Sequence, residues 1–179
     1  MPKPFVITFA GAPGTGKTPI AFHLSYTFNL PIIQMDAIRL EVREDMLEDD
    51  NNKPAVRAEF LRRAEQRYQA LLGKKLNFID DSSADRSWKQ KPGDQFYQLQ
   101  TAGYDCFMIS MDLSKEFIAR LHGANHSLSA DALDSYFEQH QMFLEQYGSD
   151  ANLHITDETY KDRMALSEQA LAAYLQQRA

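Results

Sequence analysis

The stretch Gly11-Ala12-Pro13-Gly14-Thr15-Gly16-Lys17-Thr18 satisfies G-x-x-x-x-G-K-[ST] at every fixed position. It restricts the fold more than any other feature, because the pattern works only as a loop between a strand and a helix. Both flanks comply. Pro4 to Ala10 is a short apolar, partly β-branched run that reads as a buried strand. Ile20, Ala21, Leu24 and Phe28 then recur at helical spacing. In such a loop the glycines let successive backbone N–H groups turn inward around phosphate oxygens, and the helix N-terminus adds its positive end. Lys17 supplies a point charge for the outer phosphates, and Thr18 a hydroxyl for Mg²⁺. The eight residues from Gly11 to Thr18 are therefore the candidate nucleotide-binding set, with ATP and Mg²⁺ as the expected ligands. Pro19 is a departure. Its position in such loops turns a backbone N–H toward the α-phosphate, and proline has none. The first turn of a helix accepts the ring, so binding is expected to survive with one contact fewer.

Strand and helix patterns alternate along the rest of the chain. Leu30 to Met35 reads as a second strand ended by Asp36, followed by an acidic helical stretch to about Met46. Glu44, Asp45, Glu48, Asp49 and Asp50 form a negative cluster, read as a solvated loop. Ala55 to Leu72 is a strong amphipathic helix. Leu76 to Ser82 reads as a third strand carrying Asp80 and Asp81 at its end. Ser83 to Thr101 holds Trp88, Lys89 and Lys91, then a helix through Phe96 and Leu99 that Gly103 closes. Asp105 to Met111 is a fourth strand. Ser114 caps a helix to Leu121, Ser129 caps another to about Tyr147, Asn152 to Ile155 is a fifth strand, and Asp157 opens a last helix. This predicts one α/β domain over residues 1–179, a three-layer α/β/α arrangement around a five-stranded parallel sheet. Ligands then bind beyond the carboxyl ends of the strands, where the glycine loop, Asp36, Asp80 and Asp81 should converge.

Composition narrows the setting. The 179 residues are 44% hydrophobic and 25% charged, ordinary for a soluble globular chain. No apolar run approaches a membrane span, and the chain enters a strand at once, so neither a membrane segment nor a signal peptide is expected. The one cysteine, Cys106, lies inside an apparent strand; it excludes an intrachain disulfide, suits a cytoplasmic location, and reads as a small apolar residue. A net charge of −6 disfavours nucleic acid as a partner, although Trp88 with Lys89 and Lys91 offers a stacking face beside two cations. The chain lacks a guanine-reading N-K-x-D: Asn52-Lys53-Pro54-Ala55 has no acid at its end.

The chain resembles the small P-loop kinases, the adenylate-kinase-like group, and among them the polynucleotide and zeta-toxin-like kinases. Gly11 to Thr18, Met35-Asp36-Ala37-Ile38-Arg39, Phe78 to Ala84, Ala102-Gly103-Tyr104 and Arg120 before a lid-like segment at about 121–128 carry the likeness. The resemblance implies an ATP-dependent kinase that phosphorylates a hydroxyl of a small-molecule or nucleotide-like acceptor. It implies Asp36 as general base, Arg39 as the holder of the acceptor's anionic or polar part, and Arg120 reaching the transferring group beside Lys17. Asp80 or Asp81 would serve Mg²⁺ together with Thr18, with Asp80 preferred, and Trp88 would meet the acceptor. Asp36 as a plain helix cap, Trp88 as a packing residue, and His122 and His126 as solvated lid residues are the simpler alternatives. The lid has no arginine of its own. A nucleotide-sensing switch, or a degenerate kinase kept as a binding module, is the competing class of function.

Overall fold

The computed structural model describes residues 2–86, 99–123 and 129–178. Its strands are β1 (Phe5–Ala10), β2 (Ile32–Ile33), β3 (Phe78–Ser83), β4 (Asp105–Asp112) and β5 (Leu153–Thr156). They form one sheet in the order β2-β3-β1-β4-β5, every pairing parallel. The described helices are α1 (Lys17–Phe28), α2 (Met35–Met46), α3 (Pro54–Gly73), α4 (Lys115–Gly123), α5 (Ala130–Tyr147) and α6 (Arg163–Gln177).

Side-chain alternation along the strands builds two cores. Val6, Phe78 and Met108 face one layer, made by Ile38 and Val42 of α2, Val56 and Ala64 of α3, and Phe143 of α5. Ile7, Phe9, Ile79 and Phe107 face the other, made by Ile20 and Leu24 of α1 and Leu171 of α6. The expected three layers and five parallel strands are therefore present. β1 is buried at all six positions, which is why its sequence runs apolar instead of alternating. Burying a side chain such as Phe9, Phe78 or Phe107 contributes about 2–3 kcal/mol each.

The expected caps hold. Ser114 Oγ accepts from the Phe117 N–H (3.1 Å) and Ser129 Oγ from the Ala132 N–H (3.3 Å). At Gly103 the closing pair of a helical turn forms: its N–H reaches the Gln100 carbonyl, and the Tyr104 N–H reaches that of Leu99. α2 ends in the same way, but with Leu47 at the turn, φ 50°, its side chain 93% exposed.

Three readings change. β2 is only Ile32–Ile33, an edge strand paired on one side, and α2 begins at Met35. Asp36 thus sits in the first turn of a helix, where its carboxylate complements the helix dipole, and not at a strand end. Asp157 does not open the last helix. Its carboxylate accepts from the Ser114 N–H (2.8 Å) and hydroxyl (2.5 Å), and α6 starts after the turn Tyr160–Asp162. β3 extends past both aspartates to Ser83, so Asp80 and Asp81 point to opposite faces of the sheet. Trp88, Lys89, Lys91 and Phe96, and residues 124–128 of the lid-like segment with His126, lie outside the described residues.

Candidate functional site

The loop leaves β1 at Gly11 with φ +131°, and a Cβ there would stand 2.7 Å from the Met111 Cβ. Only glycine fits that close approach to β4. The Gly11 N–H donates to both oxygens of Asp85 (2.9 and 3.2 Å). The Thr15 hydroxyl, buried, donates to the Ala12 carbonyl (2.8 Å) and holds the loop's curve from inside. Gly14, φ +75°, lies against the His122 imidazole, which a Cβ would overlap. His122 Nε2 is 2.7 Å from the Pro13 carbonyl. A carbonyl can only accept, so Nε2 carries the hydrogen. His122 is thereby a buried brace of the loop and not a solvated lid residue.

Gly16 caps α1 in a left-handed conformation, with no side chain accepting from the helix N-terminus and no acid in its first turn. That end keeps its positive character toward a ligand. The Lys17 ammonium folds back over the loop and donates to the Gly11 and Ala12 carbonyls, both at 2.6 Å. Pro19 occupies the third helical residue of α1.

Which aspartate reaches Thr18 follows from strand parity. Asp81 shares the face of Ile79, the face that α1 covers, and its Oδ1 accepts from the Thr18 hydroxyl at 3.2 Å. The Gln34 amide donates to its other oxygen at 3.4 Å. Burial raises the Asp81 carboxyl, and the bonds from Thr18 and Gln34 pull it back. Asp80, preferred from the sequence, shares the face of Phe78; it is fully buried, and its Oδ1 accepts from the Ser82 N–H (3.1 Å). The hard-oxygen pair beside the loop is therefore Thr18 with Asp81. One carboxylate plus one hydroxyl suits Mg²⁺, which takes most of its remaining oxygens from phosphates and water.

A cavity of about 890 Å³ opens from the loop toward α2 and α3. Lys17, Thr18, Asp81 and Asp85 line it together with Asp36, Arg39, Phe60 and Tyr68, and the Asp36 charge is close enough to act on Asp81. The Asp36 side chain is 95% exposed and pairs with Arg39 at 2.5 Å. The Arg39 guanidinium also lies over the Phe60 ring, 4.8 Å from its centre. Arg120 is not brought to this cavity. Ile118 and His122 form the buried face of α4, so Arg120, two residues from each, projects outward over the Phe117 ring at 5.1 Å. Trp88 lies outside the described residues. Burial, with the charges of Asp105 and Asp80, pushes the Cys106 thiol up to about 12, so it is no nucleophile at neutral pH.

Two groups escaped the sequence reading. Asp85 holds the loop's first N–H, and its Oδ2 meets His140 Nδ1 at 3.0 Å. His140, fully buried in α5, meets Asp112 through Nε2 at 3.3 Å; Asp112 in turn holds Ser110 and His154. Burial alone would lower the His140 pKa, but its bonds to Asp112 and Asp85 raise it to about 9, so an imidazolium sits between two carboxylates. One signal was available: His140 falls on the apolar stripe of Leu133, Phe137 and Phe143, where a polar residue needs partners.

No protein-family model matches the sequence, and no curated protein matches it. Solved structures do share the fold. A protein from Chloroflexus aurantiacus provisionally described as a kinase matches with a TM-score of 0.68 at 17% identity, over 100% of both chains. The Mycobacterium tuberculosis APS kinase, solved with AMPPNP and APS, matches at 0.57 and 19% over 94% of this chain and 99% of that one. A gluconokinase from Sinorhizobium meliloti matches at 0.56 and 15% over 97% and 95%. The likeness is one of fold, that of the small P-loop kinases, and it spans proteins named for unlike acceptors.

Proposed function

We propose that this chain is an ATP-dependent phosphotransferase acting on a hydroxyl of a small-molecule or nucleotide-like acceptor. The observation that carries the reading is the single cavity shared by the glycine loop and Asp36. A phosphate chain laid along the loop would meet Lys17 in the same cavity that the Asp36 carboxylate lines.

The chain's own groups divide the work. The loop N–H groups and the α1 N-terminus bind phosphate oxygens. Lys17 leaves the Gly11 and Ala12 carbonyls to meet them. Thr18 and Asp81 would hold Mg²⁺, which when bound neutralises charge on the outer phosphates. Asp36 accepts the proton of the attacking hydroxyl, and Arg39 fixes the direction of that carboxylate. The new bond joins the acceptor oxygen to the γ-phosphorus, the bond to the β–γ bridging oxygen breaks, and ADP leaves. Arg120, exposed on α4, has no part in this arrangement.

Pro19 favours a second reading, a binding module without turnover, because it removes one N–H from the first turn of α1. Calorimetric titration of ATP and of GTP with Mg²⁺ tests the nucleotide site both readings need, and γ-phosphoryl transfer from ATP to a panel of acceptors, seen only under the first reading, separates them. Micromolar ATP binding in the wild type, lost in Lys17→Ala, is the expected result. Absence of binding to either nucleotide would overturn the phosphotransferase reading.

A further inference from the structure

Gly11 is held on both of its sides. Its N–H donates to both oxygens of Asp85, and its carbonyl accepts from the Lys17 ammonium (2.6 Å) and from the Ser83 hydroxyl (3.3 Å). A residue that parks Lys17 is therefore the one that Asp85 anchors. The Asp85 side chain is only 6% exposed. A buried carboxylate is costly unless its lone pairs are met. The Gly11 N–H meets some of them, and His140 Nδ1 meets Oδ2 at 3.0 Å.

Among the described residues, the charged groups that face His140 are Asp85, from the turn after β3, and Asp112, from the end of β4. His154 of β5 bonds the other oxygen of Asp112. An imidazole donates to two carboxylates at once only as the cation, with a hydrogen on each nitrogen. Burial works against that cation, but the bonds to Asp112 and Asp85 outweigh it and hold the His140 pKa at about 9. Once the proton leaves, one ring nitrogen turns a lone pair on its carboxylate. Asp85 then loses its second partner for part of the time, and its hold on Gly11 slackens.

We infer that Asp85 and His140 are positioning residues for nucleotide binding: Asp85 fixes Gly11, and with it the loop and the parked Lys17, while the charged His140 ring fixes Asp85. The inference rests on the loop's role in the phosphotransferase reading and adds a control to it. ATP affinity follows the charge on a histidine that is fully buried and outside the cavity lining. Binding is tight while His140 is charged and weaker once it is neutral.

Two measurements test this. In ligand-free, ¹⁵N-labelled protein, the Gly11 amide proton should lie downfield, as a bond to a carboxylate requires, and should move with pH along the same curve as the His140 ring nitrogens. Calorimetry with ATP and Mg²⁺ should show affinity falling about threefold between roughly pH 7.5 and 9.5. Asp85→Asn is the decisive variant. Its amide oxygen still accepts from Gly11, and its NH₂ donates to a neutral Nδ1. It should bind ATP about as tightly as the wild type at low pH and lose the slope, whereas a slope due to Lys17 would persist in it. Asp85→Ala, which removes the anchor, should weaken ATP about tenfold. A Gly11 amide indifferent to His140, a flat wild-type profile, or an unchanged slope in Asp85→Asn would overturn the positioning and leave the phosphotransferase reading standing. Wild-type protein that binds no ATP at any pH would overturn that reading and this inference with it.

Discussion

Asp36 shows what a single residue owes to its setting. It is nearly free of burial, it lines the same cavity as Lys17, and among the described residues Arg39 pairs with it and orients it. A carboxylate placed in this way contributes by taking a proton as the new bond forms. Asp36→Asn should therefore lower phosphoryl transfer by about 10²–10⁴-fold while ATP affinity stays within a factor of two. Rapid-quench turnover alongside nucleotide titration measures both. The loop was fully legible in the sequence because its chemistry is local: eight consecutive residues make the cradle. The choice between Asp80 and Asp81 was not. It depends on which face of β3 turns toward α1, and both Phe78 and Ile79 are apolar enough for either face. Arg120 was misdirected for a similar reason. Its helix was legible from Ser114 onward, but the burial of Ile118 and His122, which turns it outward, depends on the elements packed against α4.

At the scale of elements, local signals worked wherever the chain's own neighbours decide. Ser114, Ser129 and Gly103 bound their helices as their side chains, or the lack of one, require. The reading failed where a distant partner decides. Asp157 looks like a helix cap, yet Ser114 claims it from across the carboxyl edge of the sheet. Likewise Asp85 acts through a loop glycine far from it in sequence. Leu47 marks an element boundary held at some cost. It adopts the left-handed conformation that ends α2, with its side chain in solvent where it contributes almost no burial. Such a conformation disfavours a residue with a Cβ by roughly 1–2 kcal/mol. Leu47→Gly should stabilise the fold by about 0.5–1 kcal/mol after the added freedom of the unfolded chain is counted, and thermal unfolding should show a rise of about 2–3 °C.

Over the whole molecule, His140 ties together parts that the chain order keeps apart: the glycine loop through Asp85, and β4 and β5 through Asp112 and its partner His154. Its pKa rises from an ordinary 6.5 to about 9 on folding. The folded state therefore binds the extra proton, and the resulting stability is complete below pH 6.5 and lost as pH climbs through 9. The loss should amount to about 3 kcal/mol, or roughly 6–10 °C in the melting temperature. Melting curves between pH 6 and pH 10 should show it in the wild type, and His140→Gln should remove that part of the slope. The order of the strands has a different consequence, one for synthesis. β1 is central in the finished sheet but is made first. The buried hexapeptide Phe5–Ala10, apolar but for Thr8, emerges with neither neighbour present, and its first, Phe78–Ser83, is translated only several seconds later at roughly 5–20 residues per second. Until then α1, α2 and α3 can cover its faces but no strand can pair its edges, so the newborn protein carries open hydrogen-bonding edges on the very strand that later holds the loop.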